Sequence, residues 1–231
     1  MTRMREGHHG EGPGAFTPDG CAVQMYERMT VGDEPETIAL GARSGARTLL
    51  ELGSGAGRVT HALVERGWSV TAVDESPEML ARVRGARTVA AGIEELRLDE
   101  RFDVVLLASY LVNTAEAQAC RALLDTCRAH VADDGVVLIQ REGAGWHENV
   151  PRVREYPGGA VHMLGSEPID GDETLRAVRM LYEYPDARWV HEFRSRVFTE
   201  AGFADLLAGS GLAVEDLLDE AGTWVRAVPV H

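Results

Sequence analysis

A short glycine-rich run contains the residues of this chain whose types and spacing point most clearly to chemistry. Glu51 stands near the end of an apolar stretch, and Gly53, Gly55 and Gly57 follow it. Glycine lets a backbone turn tightly and approach a ligand without a Cβ in the way, and a helix that starts here points free N–H groups at that ligand. Asp74 ends the next apolar stretch, and a carboxylate in that place can accept both hydroxyls of a ribose. These five residues predict a site for a nucleoside ligand.

Two nucleoside cofactors compete for such a loop. Dinucleotide folds use G-x-G-x-x-G, but Arg58 occupies the position of the third glycine, and Glu51 would repel a pyrophosphate. A carboxylate there suits a ligand that carries positive charge. S-adenosylmethionine carries an ammonium and a sulfonium group, so the sequence favours it over NAD. Two simpler interpretations stay open: Asp74 as the cap of the next helix, and Glu51 as an ion-pair partner of Arg47 or Arg58.

The elements that position these residues alternate between strand and helix from Ala46 onward. The predicted strands are Arg47–Leu52, Trp68–Val73, Ala86–Ala91, Phe102–Ala108 and, after a turn at Asp133–Gly135, Val136–Gln140. The predicted helices are Arg58–Arg66, a helix capped by Ser76 with Pro77 in its first turn, and Ala115–His130. Strands joined through helices of this length imply right-handed crossovers and a parallel sheet, so the loop and Asp74 lie at the carboxyl ends of its strands.

The pattern changes after Arg141. A Gly/Pro-rich stretch is followed by β-like runs and then by one helix and two strands. These runs are Ala160–Leu164, Thr174–Tyr184 and Arg188–Phe198, the helix runs from Thr199 to about Ala208, and the closing strands are Leu212–Leu218 and Thr223–Val228. We expect a mobile tail over residues 1–20 and a single domain over 21–231, with a core of 46–141 and 199–231. Residues 143–198 form an antiparallel β insertion after strand five, either covering the substrate or forming a dimer surface.

A family resemblance rests on three runs of the core. ELGSGAGRVT, AVDESPEML and FDVVLLASYLVN resemble the class I S-adenosylmethionine-dependent methyltransferases, and more narrowly the small-molecule enzymes of bacterial secondary metabolism, including amino-sugar N-methyltransferases. The resemblance covers Thr48–Gln140 well and the C-terminal helix and strands more loosely. It implies an α/β fold, a Rossmann-like sheet of order 3-2-1-4-5-7-6 with helices on both faces. It also implies methyl transfer to O or N of a small metabolite, with S-adenosylhomocysteine as the product.

The resemblance also assigns roles around the cofactor. It implies that Gly53, Gly55 and Gly57 pass under the methionine part, that Glu51 orients the amino end and that Asp74 binds the ribose hydroxyls. The further implied contacts are Glu75, Met79 (equally a core position by its helix face), Ile93 and Ala108. The chain departs from the family at one place, since many relatives have an Asp in the adenine loop where Gly92 stands here. Backbone groups or Glu94 would supply that contact instead.

Catalysis of methyl transfer depends mainly on proximity, because the cofactor is already activated. A base is needed only for an acceptor that starts protonated. His147 is the strongest base candidate, because imidazole accepts protons near neutral pH, although a surface loop histidine is the simpler interpretation. Tyr110 is a second candidate, and Tyr26 stands where relatives often place an aromatic that closes over the cofactor. Candidate substrate contacts are Asn113, Gln140, Arg141, Trp146 and His162, with Glu142 and His191 nearby.

The composition combines a globular profile with an excess of acid. There are 37 Asp and Glu against 23 Lys and Arg, a net charge of −14. That charge repels phosphate backbones and anionic membranes, so we expect a small or cationic substrate and neither a nucleic-acid nor a membrane partner. No apolar run approaches the roughly 20 residues of a membrane span, and the N-terminus lacks the apolar segment of a secretory signal. Three cysteines in no paired motif fit a reducing cytoplasm.

Several alternatives stay open at this point. No cluster of His, Cys, Asp or Glu has metal-ligand spacing, so we expect no metal, and the protein could be a monomer or a homodimer. The protein could keep the fold, bind S-adenosylmethionine and catalyse a cyclisation or another rearrangement instead of methyl transfer. A non-enzymatic cofactor-binding module and a nicotinamide-dependent oxidoreductase are the other two alternatives.

Overall fold

The computed structural model describes residues 4–230. Its strands are β1 (His9–Glu11), β2 (Thr48–Leu52), β3 (Ser69–Asp74), β4 (Arg87–Ala90), β5 (Phe102–Leu107), β6 (Val131–Gln140), β7 (Arg152–Tyr156), β8 (Gly159–Ile169), β9 (Asp172–Tyr184), β10 (Ala187–Arg196), β11 (Leu212–Leu217) and β12 (Trp224–Pro229). Its helices are α1 (Val23–Arg28), α2 (Glu34–Gly41), α3 (Arg58–Glu65), α4 (Pro77–Leu80), α5 (Ala117–His130) and α6 (Glu200–Gly209). The described residues form two compact units: the antiparallel unit, up to Thr30 and Gly145–Val197, and the core unit, Val31–Ala144 and from Phe198 onward.

The core unit is built on a seven-stranded sheet. The strand order is β11-β12-β6-β5-β2-β3-β4. Strands β2 to β6 pair in parallel, whereas β12 runs antiparallel to β6 and to β11. Counted along the chain within this sheet, read from the β4 edge, the order is 3-2-1-4-5-7-6. The predicted α/β fold and the strand order implied by the family resemblance are confirmed.

Helices cover both faces of the sheet because its central strands are apolar on both sides. In β5, Val105 and Leu107 point into a cluster that includes Leu124 of α5. Val104 and Leu106 point into the opposite cluster, which includes Leu63 of α3. All six side chains are fully buried, and each contributes about 1.5–3 kcal/mol by leaving water. This is the pattern expected of a parallel sheet between two helical layers.

Strand β6 corrects one prediction. The turn expected at Asp133–Gly135 is absent, and the strand runs unbroken from Val131 to Gln140. A Cβ added to Gly135 would lie 2.9 Å from the carbonyl oxygen of Asp103 on β5. The glycine therefore serves the close approach of two backbones inside a sheet, and the sequence prediction mistook it for a turn residue.

The antiparallel unit carries a five-stranded sheet of order β1-β10-β9-β8-β7. Strands β8, β9 and β10 correspond to the three predicted β-like runs, whereas β1 and β7 were not predicted. Strand β1 lies in the expected mobile tail and pairs with β10, for example through His9 and Glu192. This part of the tail is thus a sheet edge, while residues 1–3 lie outside the described residues. Residues 21–30, expected to join the single domain, fold with this unit.

Candidate functional site

The glycine loop between β2 and α3 has a backbone that other residues rarely adopt. Gly53, Gly55 and Gly57 have φ angles of +74°, +55° and +87°. The N–H groups of Gly53 and Ser54 both donate to the carbonyl oxygen of Val73, each at 2.9 Å. The loop is therefore tied to the end of β3, and its three glycines are required by conformation.

The space around the loop is equally restrictive. A Cβ added to Gly53 would lie 2.5 Å from Leu111 Cδ1, and one added to Gly57 would lie 2.9 Å from His61 Nε2. The hydroxyl of Ser54 is buried and has no hydrogen-bond partner among the described residues. Buried polar atoms are normally paired, so this hydroxyl fits a loop that completes its hydrogen bonds with a polar ligand.

Glu51 is a buried carboxylate at the end of β2 and is only 4% exposed. Its Oε2 accepts a hydrogen bond of 2.5 Å from the hydroxyl of Thr60. Burial raises the pKa of Glu51 to about 7, with Asp74 adding to the rise and the Thr60 hydrogen bond and the charge of Arg58 opposing it. Arg58 itself forms an ion pair with Glu34 at 2.6 Å. A carboxylate this costly to ionise is stabilised by a cationic ligand.

Asp74 holds the glycine loop, and the N-cap of the next helix is Ser76 rather than Asp74. Its Oδ2 accepts from the Gly55 N–H at 2.8 Å, and its Oδ1 accepts from the Ser76 N–H at 2.9 Å. Ser76 is the N-cap of α4, since its hydroxyl accepts from the N–H of Met79, as predicted. A carboxylate accepts up to about four hydrogen bonds, so holding the loop is compatible with binding ribose hydroxyls.

The other residues implied around the cofactor lie on neighbouring segments. Met79 is buried on α4, and Ala108 is buried after β5. Ile93 begins a 3₁₀ turn, and its Cδ1 lies 3.7 Å from the Cβ position of Gly53. Leu111 was not predicted, although it lies closer to that position. An apolar residue just beyond the end of a central strand was the available signal.

The chain turns after β5 through two strained residues. Ser109 and Tyr110 have φ angles of 55° and 60°, and such conformations cost on the order of 1–3 kcal/mol each. The Ser109 N–H donates to Gln140 Oε1 at 2.8 Å, and the Glu142 N–H donates to Asn113 Oδ1 at 2.9 Å. Gln140 and Asn113, predicted as substrate contacts, thus use their amide oxygens on backbone groups.

The part of the chain that carries the core strands and the glycine loop is similar to known methyltransferases. Residues 49–135 match a family model described as a methyltransferase domain. An uncharacterized methyltransferase of Mycobacterium tuberculosis is 46% identical over 94 residues, which cover 38% of this chain and 39% of that relative. The chain therefore aligns with about two fifths of the length of its curated relatives.

Solved structures extend the likeness in fold to most of the chain. An S-adenosylmethionine-dependent methyltransferase from Clostridium acetobutylicum has a TM-score of 0.70 at 14% identity, covering 90% of this chain and 97% of its own. The core unit has the fold of these S-adenosylmethionine-dependent methyltransferases. The S-adenosylmethionine-bound amino pentose methyltransferase of calicheamicin biosynthesis from Micromonospora echinaspora has a TM-score of 0.66 at 20% identity, covering 91% and 93%. S-adenosylmethionine is the cofactor of both enzymes, and Glu51, the Ser54 hydroxyl and Asp74 fit it.

Within the core unit, Arg141 is placed differently from our expectation. Its guanidinium is buried, donates to the carbonyl oxygen of Gly222 at 2.7 Å, and pairs with Glu200 at 2.5 Å. It also lies over the ring of Phe203, 4.5 Å from the centroid. These contacts give Arg141 a structural role, and we no longer assign it to the substrate.

Two of the remaining candidates form a pair in the antiparallel unit. His147 Nδ1 lies 2.7 Å from the hydroxyl of Ser166 on β8, and the Trp146 ring meets the imidazole edge-on at 4.7 Å between centroids. These contacts fix the orientation of the imidazole. His162 pairs across the sheet with Leu181, whereas Ser166 pairs with Val178. Alternation along β9 puts His162 and Ser166 on opposite faces, and His162 Nε2 lies 3.2 Å from Glu183.

A half-buried polar cluster in the same unit was not predicted from the sequence. Tyr26 Oη lies 3.4 Å from the Cys21 thiol, which lies 3.5 Å from Asp19 Oδ2. His191 Nε2 lies 2.9 Å from the carbonyl oxygen of Asp19. The neighbouring Cys21 and burial raise the pKa of Tyr26 well above its ordinary value, whereas burial lowers that of His191. Both are therefore neutral near pH 7. The role of Tyr26 above the cofactor stays a prediction.

The described residues include neither a cluster of metal ligands nor a membrane-spanning helix. Over residues 4–230, no group of three or more His, Cys, Asp or Glu is placed to hold a metal ion. None of the helices in that range combines the length and apolar character that crossing a membrane requires.

Proposed function

We propose that this protein transfers a methyl group from S-adenosylmethionine to a nitrogen or oxygen of a small-molecule acceptor. The observation that carries the proposal is the buried carboxylate of Glu51 beside the glycine loop. A buried carboxylate needs a partner of opposite charge, and the ammonium of the donor is such a partner. The family match over residues 49–135 supports the same donor.

We propose that each donor-binding residue contacts a different part of S-adenosylmethionine. Glu51 binds the amino end, the loop from Gly53 to Gly57 lets the backbone approach the methionine part, and Asp74 binds the ribose hydroxyls. Met79 and Ile93 supply apolar contacts for the adenine. When bound, S-adenosylmethionine supplies an activated methyl group on its sulfonium. The domain then contributes orientation and the exclusion of water, which can account for much of the rate.

We propose His147 as the group that receives the proton which an N or O acceptor releases on methylation. Its hydrogen bond with Ser166 supports this role, because a partner on one ring nitrogen fixes the tautomer and leaves the ring in one orientation. The assignment of His147 and Tyr110 to catalysis rests on their sequence positions and on these local contacts.

The class of acceptor is proposed from charge and from relatives. A net charge of −14 disfavours polyanionic acceptors and favours neutral or cationic ones. Similar folds include a sugar N-methyltransferase from Streptoalloteichus at 22% identity and a glycopeptide N-methyltransferase at 22% identity. We therefore propose an amine or hydroxyl acceptor of bacterial secondary metabolism. Cys21, Cys120 and Cys127 form no disulfide, which supports a reducing, cytoplasmic setting.

The test is the appearance of S-adenosylhomocysteine. The protein is incubated with methyl-labelled S-adenosylmethionine and a panel of amino sugars, glycosides, phenols and aliphatic amines. We expect label in one class of acceptor and an equal amount of S-adenosylhomocysteine. The Arg154→Gln variant, which changes an exposed residue of β7, serves as the matched control and should behave as wild type. A rearranged, unlabelled product with the donor unconsumed would contradict methyl transfer.

A further inference from the structure

The ends of β5 and β6 are joined by two reciprocal hydrogen bonds. Gln140, the last residue of β6, accepts the N–H of Ser109, which follows β5. Asn113, which follows β5, accepts the N–H of Glu142, which follows β6. The chain at the end of each strand thus provides one side-chain amide oxygen as an acceptor and one backbone N–H as a donor. Both bonds lie inside the core unit, and we name the pair the amide clamp.

The amide clamp spans the strained part of the chain. Ser109 and Tyr110 are consecutive left-handed residues that carry a Cβ, a conformation that persists only where surrounding contacts impose it. Gln140 binds the first of these residues at 2.8 Å, and Asn113, which is 2% exposed, closes the 3₁₀ turn that follows them. If the turn relaxed, it would have to break the hydrogen bonds that these two amide oxygens accept.

The Ser109–Tyr110 turn also positions Leu111 against the glycine loop. Leu111 directly follows the left-handed pair, and its N–H donates to the carbonyl oxygen of Ala108 at 3.3 Å. Its Cδ1 lies 2.5 Å from the position that a Cβ on Gly53 would occupy. A shift of the turn would therefore change the contact between Leu111 and the loop, where Gly53 has no side chain of its own.

We propose that Gln140 and Asn113 are positioning residues, whose amide oxygens hold the Ser109–Tyr110 turn in the shape that binds the methyl donor. This inference rests on the proposed function, because it concerns the same donor site. It replaces the direct substrate contact expected of both residues. The clamp hydrogen bond of each residue uses its amide oxygen as the acceptor. A substitution that keeps an acceptor oxygen should therefore preserve donor binding.

The experiment compares two substitutions of Gln140 that are similar in length. Gln140→Glu keeps an oxygen that can accept from the Ser109 N–H, whereas Gln140→Met removes it. S-adenosylhomocysteine affinity is measured by calorimetry at 20 °C, and amide hydrogen exchange at Ser109 is measured without ligand. We expect Gln140→Met to bind about tenfold more weakly, the effect of losing one hydrogen bond, and to exchange Ser109 faster. Gln140→Glu should match wild type within about twofold and keep Ser109 protected.

The outcomes separate this inference from the proposed function. Wild-type affinity in Gln140→Met together with faster exchange at Ser109 would overturn the positioning role alone. Equal weakening in Gln140→Glu and Gln140→Met would overturn it as well, since the amide N–H₂ would then be the functional group. Failure of the wild-type protein to bind S-adenosylhomocysteine would overturn both proposals. Asn113→Asp and Asn113→Leu form a second pair, read at the Glu142 amide, and the same outcomes apply.

Discussion

The protonation of Glu51 should make the affinity for S-adenosylmethionine depend on pH. With its pKa near 7, Glu51 is ionised in about a tenth of the molecules at pH 6 and in about three quarters at pH 7.5. The α-amino group of the ligand has an ordinary pKa of about 7.7–8.0, so about 60–75% of it is still charged at pH 7.5. Because the ammonium stabilises the ionised form of Glu51, affinity should rise about five- to sixfold over that range.

The same protonation has a defined sign in the free protein. Because burial raises the pKa of Glu51 from 4.5 to about 7, the folded state holds this proton more tightly than the unfolded chain. The contribution of the protonated side chain to stability is fully present below pH 4.5 and is lost as the pH rises through about 7. Binding of the cationic ligand then drives deprotonation, so titrations below pH 7 should release close to one proton.

The assay is calorimetric titration at pH 6.0, 6.5, 7.0 and 7.5, each in two buffers with different ionisation enthalpies. Thr60→Val removes the hydroxyl that donates to Glu51 at 2.5 Å with little change of shape. It should raise the pKa of Glu51 further and move the rise in affinity to higher pH. Glu51→Gln should bind weakly and without proton release. A wild-type affinity that is flat with pH, or a Glu51→Gln variant with the same pH profile as wild type, would refute the reasoning.

Three further substitutions test other parts of the site. Asp74→Ala should weaken S-adenosylmethionine binding by about 1–3 kcal/mol, measured by calorimetry, and unchanged affinity in a folded variant would remove Asp74 from the site. Gly53→Ala should abolish measurable binding, because φ is +74° and the new Cβ would lie 2.5 Å from Leu111; normal binding would show that the loop tolerates a side chain. Arg141→Leu should lower the free energy of unfolding by about 1–3 kcal/mol in urea denaturation, since it removes the contacts with Glu200 and Gly222. If Arg141→Leu instead lost much of its donor affinity while its free energy of unfolding stayed unchanged, Arg141 would have to be assigned to ligand binding.

The geometry of the candidate donor site was largely predictable because its signals are local. The glycines, Glu51 and Asp74 take their positions from strand ends within one βαβ unit, and the apolar run of β5 could only be a central strand. Roles that depend on long-range contacts were not predictable. Gln140 and Ser109 are 31 positions apart in sequence, and nothing in either residue type distinguishes a backbone clamp from a substrate contact.

The N-terminal segment shows why composition can mislead. Its glycines and charges indicate a mobile chain, yet His9–Glu11 pairs with β10. Three residues are too few to show alternation, so the pairing is set by the exposed edge of β10 and not by local propensity. Gly135 misled for the converse reason, because a glycine that permits close backbone approach looks the same in sequence as one that makes a turn.

The central claim is that the glycine loop of the core unit binds S-adenosylmethionine and not a dinucleotide. The most direct measurement is titration calorimetry of the full chain at pH 7.5 with S-adenosylmethionine, S-adenosylhomocysteine and NADH side by side. The account predicts that the first two bind at one site per chain and that NADH binds at least about a hundredfold more weakly, a difference of about 2.8 kcal/mol. NADH binding as tight as that of S-adenosylmethionine, or no binding of S-adenosylmethionine at all, would contradict it.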